Sequence, residues 1–469
     1  TEIGSVHPVL HELRSLLHLF PALVVPLEFR EASDVLLGDP SGRSLAIFRM
    51  LKLLGSFSKG GDPRWYVRGF IVSMTSDFSH LEAAARLTEK ALGAVKLPII
   101  PLFEQSQALR DSTVIVEAML RSTSFKTAID RHWGGHLEVM LGYSDSAKES
   151  GVLRSRLQVA ETLFKLDELC RRKKVTPVFF HGSGGSTDRG GGPIDEQTNW
   201  WPAGALKLYK VTVQGEMVER SFASPEITRG QIERIVQASG NWREAEGRTL
   251  FESKSLTSFA DRVAEAYQET VRSPDFLQVI AGATPYPFLN LLKIGSRPTK
   301  RTKEVSVSGL RAIPWILCWT QTRTLFPTWW GVGRAWAETS KAERESIIAA
   351  AKDSPVFTTY LRALKNTLAK VRLSVWHIYL DSSELSDELK ARIYVDFERE
   401  FDRANEFVQE VSKKTDAMEA RAWLEESIHL RSPMIHPLNL LQVLAMRDRD
   451  EALLRLTVTG ISSGMMTTG

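Results

Sequence analysis

Apolar residues recur along the chain in short runs, and stretches of helical spacing separate them. Leu10, Leu13, Leu17 and Phe20 fall on one face of a first helix over residues 1–20. The run Leu23–Phe29 then reads as a strand, with Arg30 just past its end. Residues 41–62 read as helix closing on the turn Ser58-Lys59-Gly60-Gly61-Asp62. Strand Gly69–Met74 precedes a helix over Ser79–Leu92, and strand Pro98–Phe103 ends on Glu104. Leu137–Tyr143 is a fourth strand, leading into Ser144-Asp145-Ser146-Ala147-Lys148. From Ser150, Leu153, Leu157, Ala160 and Phe164 mark an amphipathic helix. It closes on Arg171-Arg172-Lys173-Lys174, where cations favour the helix dipole. Pro177–His181 is the fifth strand and Leu206–Val213 a sixth.

Strands alternating with helices imply a parallel sheet covered on both faces. The pattern predicts an α/β barrel of TIM type, with about six strands visible and extensive additional helix. Helix predominates overall. Residues 1–334 read as barrel core with catalytic loops and inserted helices, and 335–469 as a C-terminal helical region. Arg30, Glu104, Asp145 and His181 all sit at C-terminal strand ends in this reading, where such barrels assemble their chemistry. Trp315, Trp319, Trp329 and Trp330 read as core.

The stretch Pro177–Pro193 stands out. A buried apolar run ends on His181, and six glycines follow within eleven residues, with Arg189 among them. Glycines let backbone N–H groups converge on one point, so the stretch reads as an anion-binding loop rather than a surface linker. Glu104 and Asp145 are enough for a Mg²⁺ or Mn²⁺ that keeps open positions, although each alone reads as a helix cap or ion-pair partner. Arg30, Arg189, Arg297 and Arg311 suit a phosphate and a carboxylate, since guanidinium donates bidentately to both. A net charge of +4 from nearly balanced cations and anions argues against nucleic acid. Cys170 and Cys318 are far apart and make neither a disulfide framework nor a zinc site. The Leu17–Leu27 run is too short for a bilayer and is broken by Pro21 and Pro26. A soluble, cytoplasmic protein is expected. Residue types alone thus support a metal-assisted enzyme acting on a small phosphorylated acid.

The loop His181-Gly-x-Gly-Gly-x-x-x-Arg189-Gly-Gly resembles the glycine-rich loop of phosphoenolpyruvate carboxylase. Further resemblances follow in the family's order: Phe29-Arg30-Glu31 with Ser33, Pro101-Leu102-Phe103-Glu104, and Val139 to Lys148. Gly295-Ser296-Arg297-Pro298, Leu310-Arg311-Ala312-Ile313-Pro314-Trp315, Trp319-Thr320-Gln321-Thr322-Arg323 and the Gly-Met-x-x-Thr-Gly ending continue them. The resemblance implies that Glu104 and Asp145 hold the metal, Mg²⁺ or Mn²⁺. It implies that Arg30 and Arg311 grip the phosphate of phosphoenolpyruvate with Arg297 nearby, and that Gly182, Gly184 and Gly185 line the substrate loop. His181, Arg189 and Lys148 match family residues of the carboxylation site, where phosphoenolpyruvate and bicarbonate give oxaloacetate and phosphate.

The departures bear on function. Family members are commonly about twice this length, and their Thr-Ala-His-Pro-Thr-Glu motif has only a vague echo in His7-Pro8. Ser183 stands where the family loop has arginine, which removes a charge-assisted contact worth roughly 1.5–3 kcal/mol. Arg431 matches the family's aspartate-inhibition site, but Thr467 replaces the usual Asn and the Trp376–Leu380 segment lacks the family lysine. Weak or absent inhibition is expected. The expected assembly is a homo-oligomer, dimer or tetramer, or a complex with a chain carrying the N-terminal part. The competing readings are a diverged enzyme for another phosphorylated or enolisable acid, and a non-catalytic regulatory subunit.

Overall fold

The computed structural model describes residues 7–39, 44–182, 194–213, 222–291, 312–415 and 422–466, with single positions at 184, 192 and 218. They fall into two compact units. The first takes the described residues up to Leu141, Thr162–His181 and Leu208–Lys210; the second takes the rest.

The first unit is built on a curled, parallel six-stranded sheet in the order β1-β2-β3-β4-β5-β6. The strands are β1 (Leu27–Ala32), β2 (Val67–Ser73), β3 (Ile99–Phe103), β4 (His136–Gly142), β5 (Thr176–Gly182) and β6 (Lys210–Val211). Helix α1 (Pro8–Leu19) precedes them, and between them run α2 (Ser33–Gly38), α3 (Ala46–Ser58), α4 (Phe78–Leu92), α5 (Ser106–Arg121), α6 (Thr123–Arg131) and α7 (Ser144–Lys173), among others. This is the alternation that the apolar runs predict, as a half-barrel in a predominantly helical chain. β2 and β3 are buried almost end to end, as expected of strands covered on both faces.

Two strand assignments need correction. β1 starts after Pro26, not at Leu23, because Leu23, Val24 and Val25 lie exposed in a turn in which Leu23 takes a φ of 55°. The first ladder-type bond is made by Leu27, whose N–H donates to Tyr66 O at 2.8 Å. Pro26 has no N–H to contribute. Arg30 is therefore the fourth of six strand residues rather than a residue beyond the strand end. β6 is only two residues long, since Ala203–Lys207, which overlaps the expected strand, is helical.

The curl can be read from one side chain. Lys210 on β6 reaches both Glu28 on β1 and Glu138 on β4, and its ammonium lies 4.4 Å from the centre of the Phe180 ring on β5. A flat sheet could not bring its first and last strands within one side-chain length, given about 4.8 Å between neighbouring strands. Ile71, Ile100, Leu102, Met140 and Phe180 form a separate apolar cluster drawn from β2 to β5. Burial raises the Glu138 carboxyl above its usual range, and Lys210 works against that.

In the second unit, α7 opens at Ser144 and is broken at Gly151, whose φ of 73° and ψ of 166° are not helical. The remainder packs helices around an aromatic core. Phe397 on the helix Asp387–Lys414 lies 4.3 Å from Trp376, 4.5 Å from Trp330 and 5.6 Å from Phe326, measured between ring centres. Trp315, Trp319, Trp329 and Trp330 are buried there, as the sequence predicts. The helix Val332–Ala337 lies so close to Asp387–Lys414 that a Cβ on Gly333 would stand 2.5 Å from Arg403 Cβ and 2.9 Å from Glu400 O. This approach lets buried Glu400 accept the N–H groups of Gly333 at 2.7 Å and Arg334 at 2.9 Å. Burial outweighs those bonds and pushes the Glu400 carboxyl up to about 7.

Two predictions follow from these buried charges. Lys210→Met leaves two carboxylates facing one another, and urea unfolding should show a loss of about 3 kcal/mol, the low end for breaking a buried pair. The loss should grow with pH, because a raised carboxyl binds its proton more tightly folded than unfolded. Glu400 obeys the same sign: its contribution is full near pH 4.5 and is lost as pH rises through about 7. The fall should be roughly 3 kcal/mol by linkage. Glu400→Gln should flatten that fall when urea midpoints at pH 5 and pH 8 are compared; an unchanged slope would assign it to another group.

Candidate active site

Glu104 follows β3 directly and is 6% exposed. One carboxylate oxygen accepts the backbone N–H of Met74 at 3.0 Å, and the other lies 3.7 Å from an Arg30 nitrogen. Met74 itself sits just beyond β2 with a φ of 59°, a conformation that only a few per cent of non-glycine residues adopt. Its carbonyl accepts the Ser33 hydroxyl at 3.0 Å, while the Ser73 hydroxyl donates to Glu31 O at 3.1 Å. The exits of β1, β2 and β3 are thereby linked by hydrogen bonds, and the Glu104 carboxylate is held in one orientation. Thr75 closes the corner, its hydroxyl on Val72 O at 2.7 Å and its N–H on Leu102 O at 3.3 Å.

His181 is the sixth of the seven residues of β5 and is fully buried. Burial pushes its imidazole down to about 3, so the ring is neutral at physiological pH. Arg30, Glu104 and His181 all belong to the first unit.

Asp145, Lys148, Gly182 and Gly184 belong to the second unit. Asp145 lies in the first turn of α7, where a carboxylate is favoured by the helix dipole. Lys148, 2% exposed, places its ammonium 3.5 Å from Asp145 Oδ1. Between them Ser146 turns inward, its hydroxyl 3.2 Å from Gly142 O and Tyr143 O and 2.7 Å from the Ser155 hydroxyl. Gly182 ends β5. The predicted site residues Gly185, Arg189, Arg297 and Arg311, with Ser183 and Thr467, lie outside the described residues.

The structure therefore brings together Arg30 with Glu104, and Asp145 with Lys148. Sequence reasoning missed the part of Met74. The apolar run it closes was legible, but a left-handed methionine leaves no pattern in residue types. Ser33 was noted only for its place in a motif, and its bond to Met74 O gives it a physical task.

The family model for phosphoenolpyruvate carboxylase matches residues 37–469. The chain belongs to the phosphoenolpyruvate carboxylase family. It is 30% identical over 452 residues to a phosphoenolpyruvate carboxylase of Photorhabdus laumondii, covering 92% of this chain and 49% of that protein. It is 33% identical over 427 residues to that of Chromohalobacter salexigens, covering 85% and 46%. A protein of Arabidopsis thaliana named phosphoenolpyruvate carboxylase 4 is 31% identical over 459 residues, covering 91% and 43%. The chain thus spans about half the length of the curated relatives it matches. Among the described residues no helix is long and apolar enough to cross a membrane.

The neutral state of His181 is open to direct measurement. Its Cε1–H resonance should stay at the neutral-imidazole position from pH 5 to pH 9, whereas a midpoint near 6.5 would mean that the ring is solvated.

Proposed function

We propose that this chain carries the catalytic half of a phosphoenolpyruvate carboxylase, forming oxaloacetate and phosphate from phosphoenolpyruvate and bicarbonate. The observation that carries this reading is Glu104: a buried carboxylate at a strand end, fixed by the Met74 N–H and facing Arg30. A packing role would not require a carboxylate in that place, whereas a site for cations and anions does. Family membership over residues 37–469 supplies the chemistry. In this reading the half-barrel contributes its strand ends to a TIM-type barrel.

The donor set fits Mg²⁺ or Mn²⁺. Among the described residues no three His, Cys, Asp or Glu side chains form a ready-made metal cage. By the family resemblance Glu104 and Asp145 are the carboxylates that would hold such an ion, which takes substrate and water at its remaining positions. When bound, the ion would oppose the charge that develops on enolate and phosphoryl oxygens. The chain's own residues do the remainder. Arg30 donates to the substrate's phosphate while its charge stays balanced by Glu104. Lys148, held beside Asp145, adds a second fixed cation where the carboxylate of the product forms. His181, neutral and buried, presents a ring nitrogen to bicarbonate and brings no positive charge of its own. Gly182 and Gly184 let the backbone approach the anion.

One sequence feature favours a second reading. Ser183 replaces the family arginine of the loop, so an altered phosphorylated or enolisable acid is the alternative substrate.

The decisive experiment measures oxaloacetate from phosphoenolpyruvate and bicarbonate with Mg²⁺ or Mn²⁺, using the full chain with Asp145→Asn and Glu104→Gln as controls. Turnover should fall at least about a hundredfold in either control, the scale of several kcal/mol of lost charge stabilisation. Metal-dependent binding of phosphoenolpyruvate without oxaloacetate would move the assignment to the altered substrate, and absence of both would overturn it.

A further inference from the structure

In the second unit a guanidinium is buried with no carboxylate beside it among the described residues. Arg323 follows the helix Ala312–Gln321 in a left-handed turn, with a φ of 62°, and is 1% exposed. One of its terminal nitrogens donates to the Ser432 hydroxyl at 2.8 Å and reaches Lys370 O at 3.5 Å. Its Nε and Nη1 are buried and donate to nothing among the described residues. A second arginine adjoins it: the backbone N–H of Arg372 donates to Arg323 O at 2.9 Å, and the Arg372 charge is felt at the Arg323 guanidinium. The Arg372 side chain is spent on backbone carbonyls, those of Ala369 at 2.9 Å and Val371 at 2.6 Å.

The facing surface comes from the helix Ala422–Asp448, on which Ser432, His436 and Asn439 share one face by their i, i+4, i+7 spacing. His436 Nε2 and Asn439 Oδ1 are also buried without a partner among the described residues. Asn439 is fixed by its other amide atom, which donates to Gln321 O at 2.7 Å and Tyr379 Oη at 3.0 Å. Four unmet polar atoms thus lie on Arg323, His436 and Asn439. Native interiors leave only a few such atoms unmet per hundred residues, so four gathered on three residues around a buried cation call for an unseen partner.

We propose that this cluster holds a small monovalent anion with the chemistry of chloride, bound by Arg323 Nε and Nη1 and by the His436 ring. A water could meet the hydrogen bonds but would leave the charge uncompensated, and a buried unpaired cation is expensive. The unmet atoms are fully buried, so the ligand must shed its hydration; that favours a weakly hydrated monovalent ion over phosphate or a dicarboxylate. Electrostatics agree. Burial first, then the charge of Arg372, push Arg323 down to about 10, which still leaves it cationic at neutral pH. Burial, then Arg323 and Arg372, hold the His436 ring below its ordinary range, so it meets the anion as a neutral N–H donor. The proposal does not depend on the carboxylase reading.

The test uses the full chain at fixed ionic strength while chloride replaces gluconate. The melting temperature should rise by a few degrees and saturate, as linkage requires of a ligand bound only by the folded state. Arg323→Met should abolish that rise. Crystals grown in bromide should show an anomalous peak between Arg323 and His436, a readout that needs no variant and decides the matter if Arg323→Met fails to fold. A chloride effect of equal size in Arg323→Met, or wild-type crystals with no bromide peak there, would overturn the proposal.

Discussion

One ammonium group sets the geometry on which the first unit depends. A six-stranded parallel sheet has no intrinsic reason to stop curling at one radius, and the apolar cluster along its inner face is non-directional. Lys210 adds direction, because it must satisfy Glu28 at one end of the sheet and Glu138 in its middle at once. The Phe180 ring beneath it contributes the attraction of a cation for an aromatic face. With the radius fixed, the exits of β1, β2 and β3 meet at one corner. That corner is where Ser33, Met74 and Glu104 join by hydrogen bonds. The chemistry at the strand ends is therefore downstream of an ion cluster nearer the opposite ends of β1 and β4.

Charge at that corner is arranged economically. Glu104 is desolvated but not isolated: a backbone N–H and Arg30 both face it, and the arginine keeps one side in contact with solvent. Lys148 and Asp145 repeat the device within one helical turn. His181 follows the opposite course and gives up its charge to burial. A neutral ring adds no charge that must itself be neutralised in the interior.

How much of this was legible in residue types varies with its physical origin. Strand order and helical cover follow from apolar periodicity, which is local, and β2, β3 and β4 stand where their runs predicted. The start of β1 was misread because Leu23-Val24-Val25 is as apolar as a strand; only the turn before Pro26 excludes it, and turn geometry is set by tertiary context. β6 was over-extended for a related reason: Leu206 and Leu208 alternate like strand residues, yet Ala203–Lys207 forms a short helix with Leu206 buried. Glu104 and Asp145 were singled out because carboxylates closing apolar runs are conspicuous. Met74 was not, since its contribution is a backbone N–H aimed by a left-handed φ, which any residue type conceals. Lys210 and Arg323 escaped as well. Each looks like an ordinary cation until the fold removes it from water.

Glu400 and Arg323 show why buried charges of opposite sign need different solutions. A carboxylate can take up a proton, and Glu400 is displaced toward doing so while two N–H groups at a helix N-terminus hold it in place. Its burial is relieved by chemistry available in water at ordinary pH. A guanidinium has no such exit, because even after burial and a neighbouring arginine have lowered its affinity for the proton it remains charged at neutral pH. It must be met by an anion or pay the cost of an uncompensated interior charge. In the first unit half-buried Lys210 has the carboxylates of Glu28 and Glu138 beside it, and in the second buried Lys148 has that of Asp145. Among the described residues Arg323 has a hydroxyl and a carbonyl, with the unmet imidazole of His436 and amide of Asn439 on the same helix as that hydroxyl, none of them charged, and that lack calls for an anion.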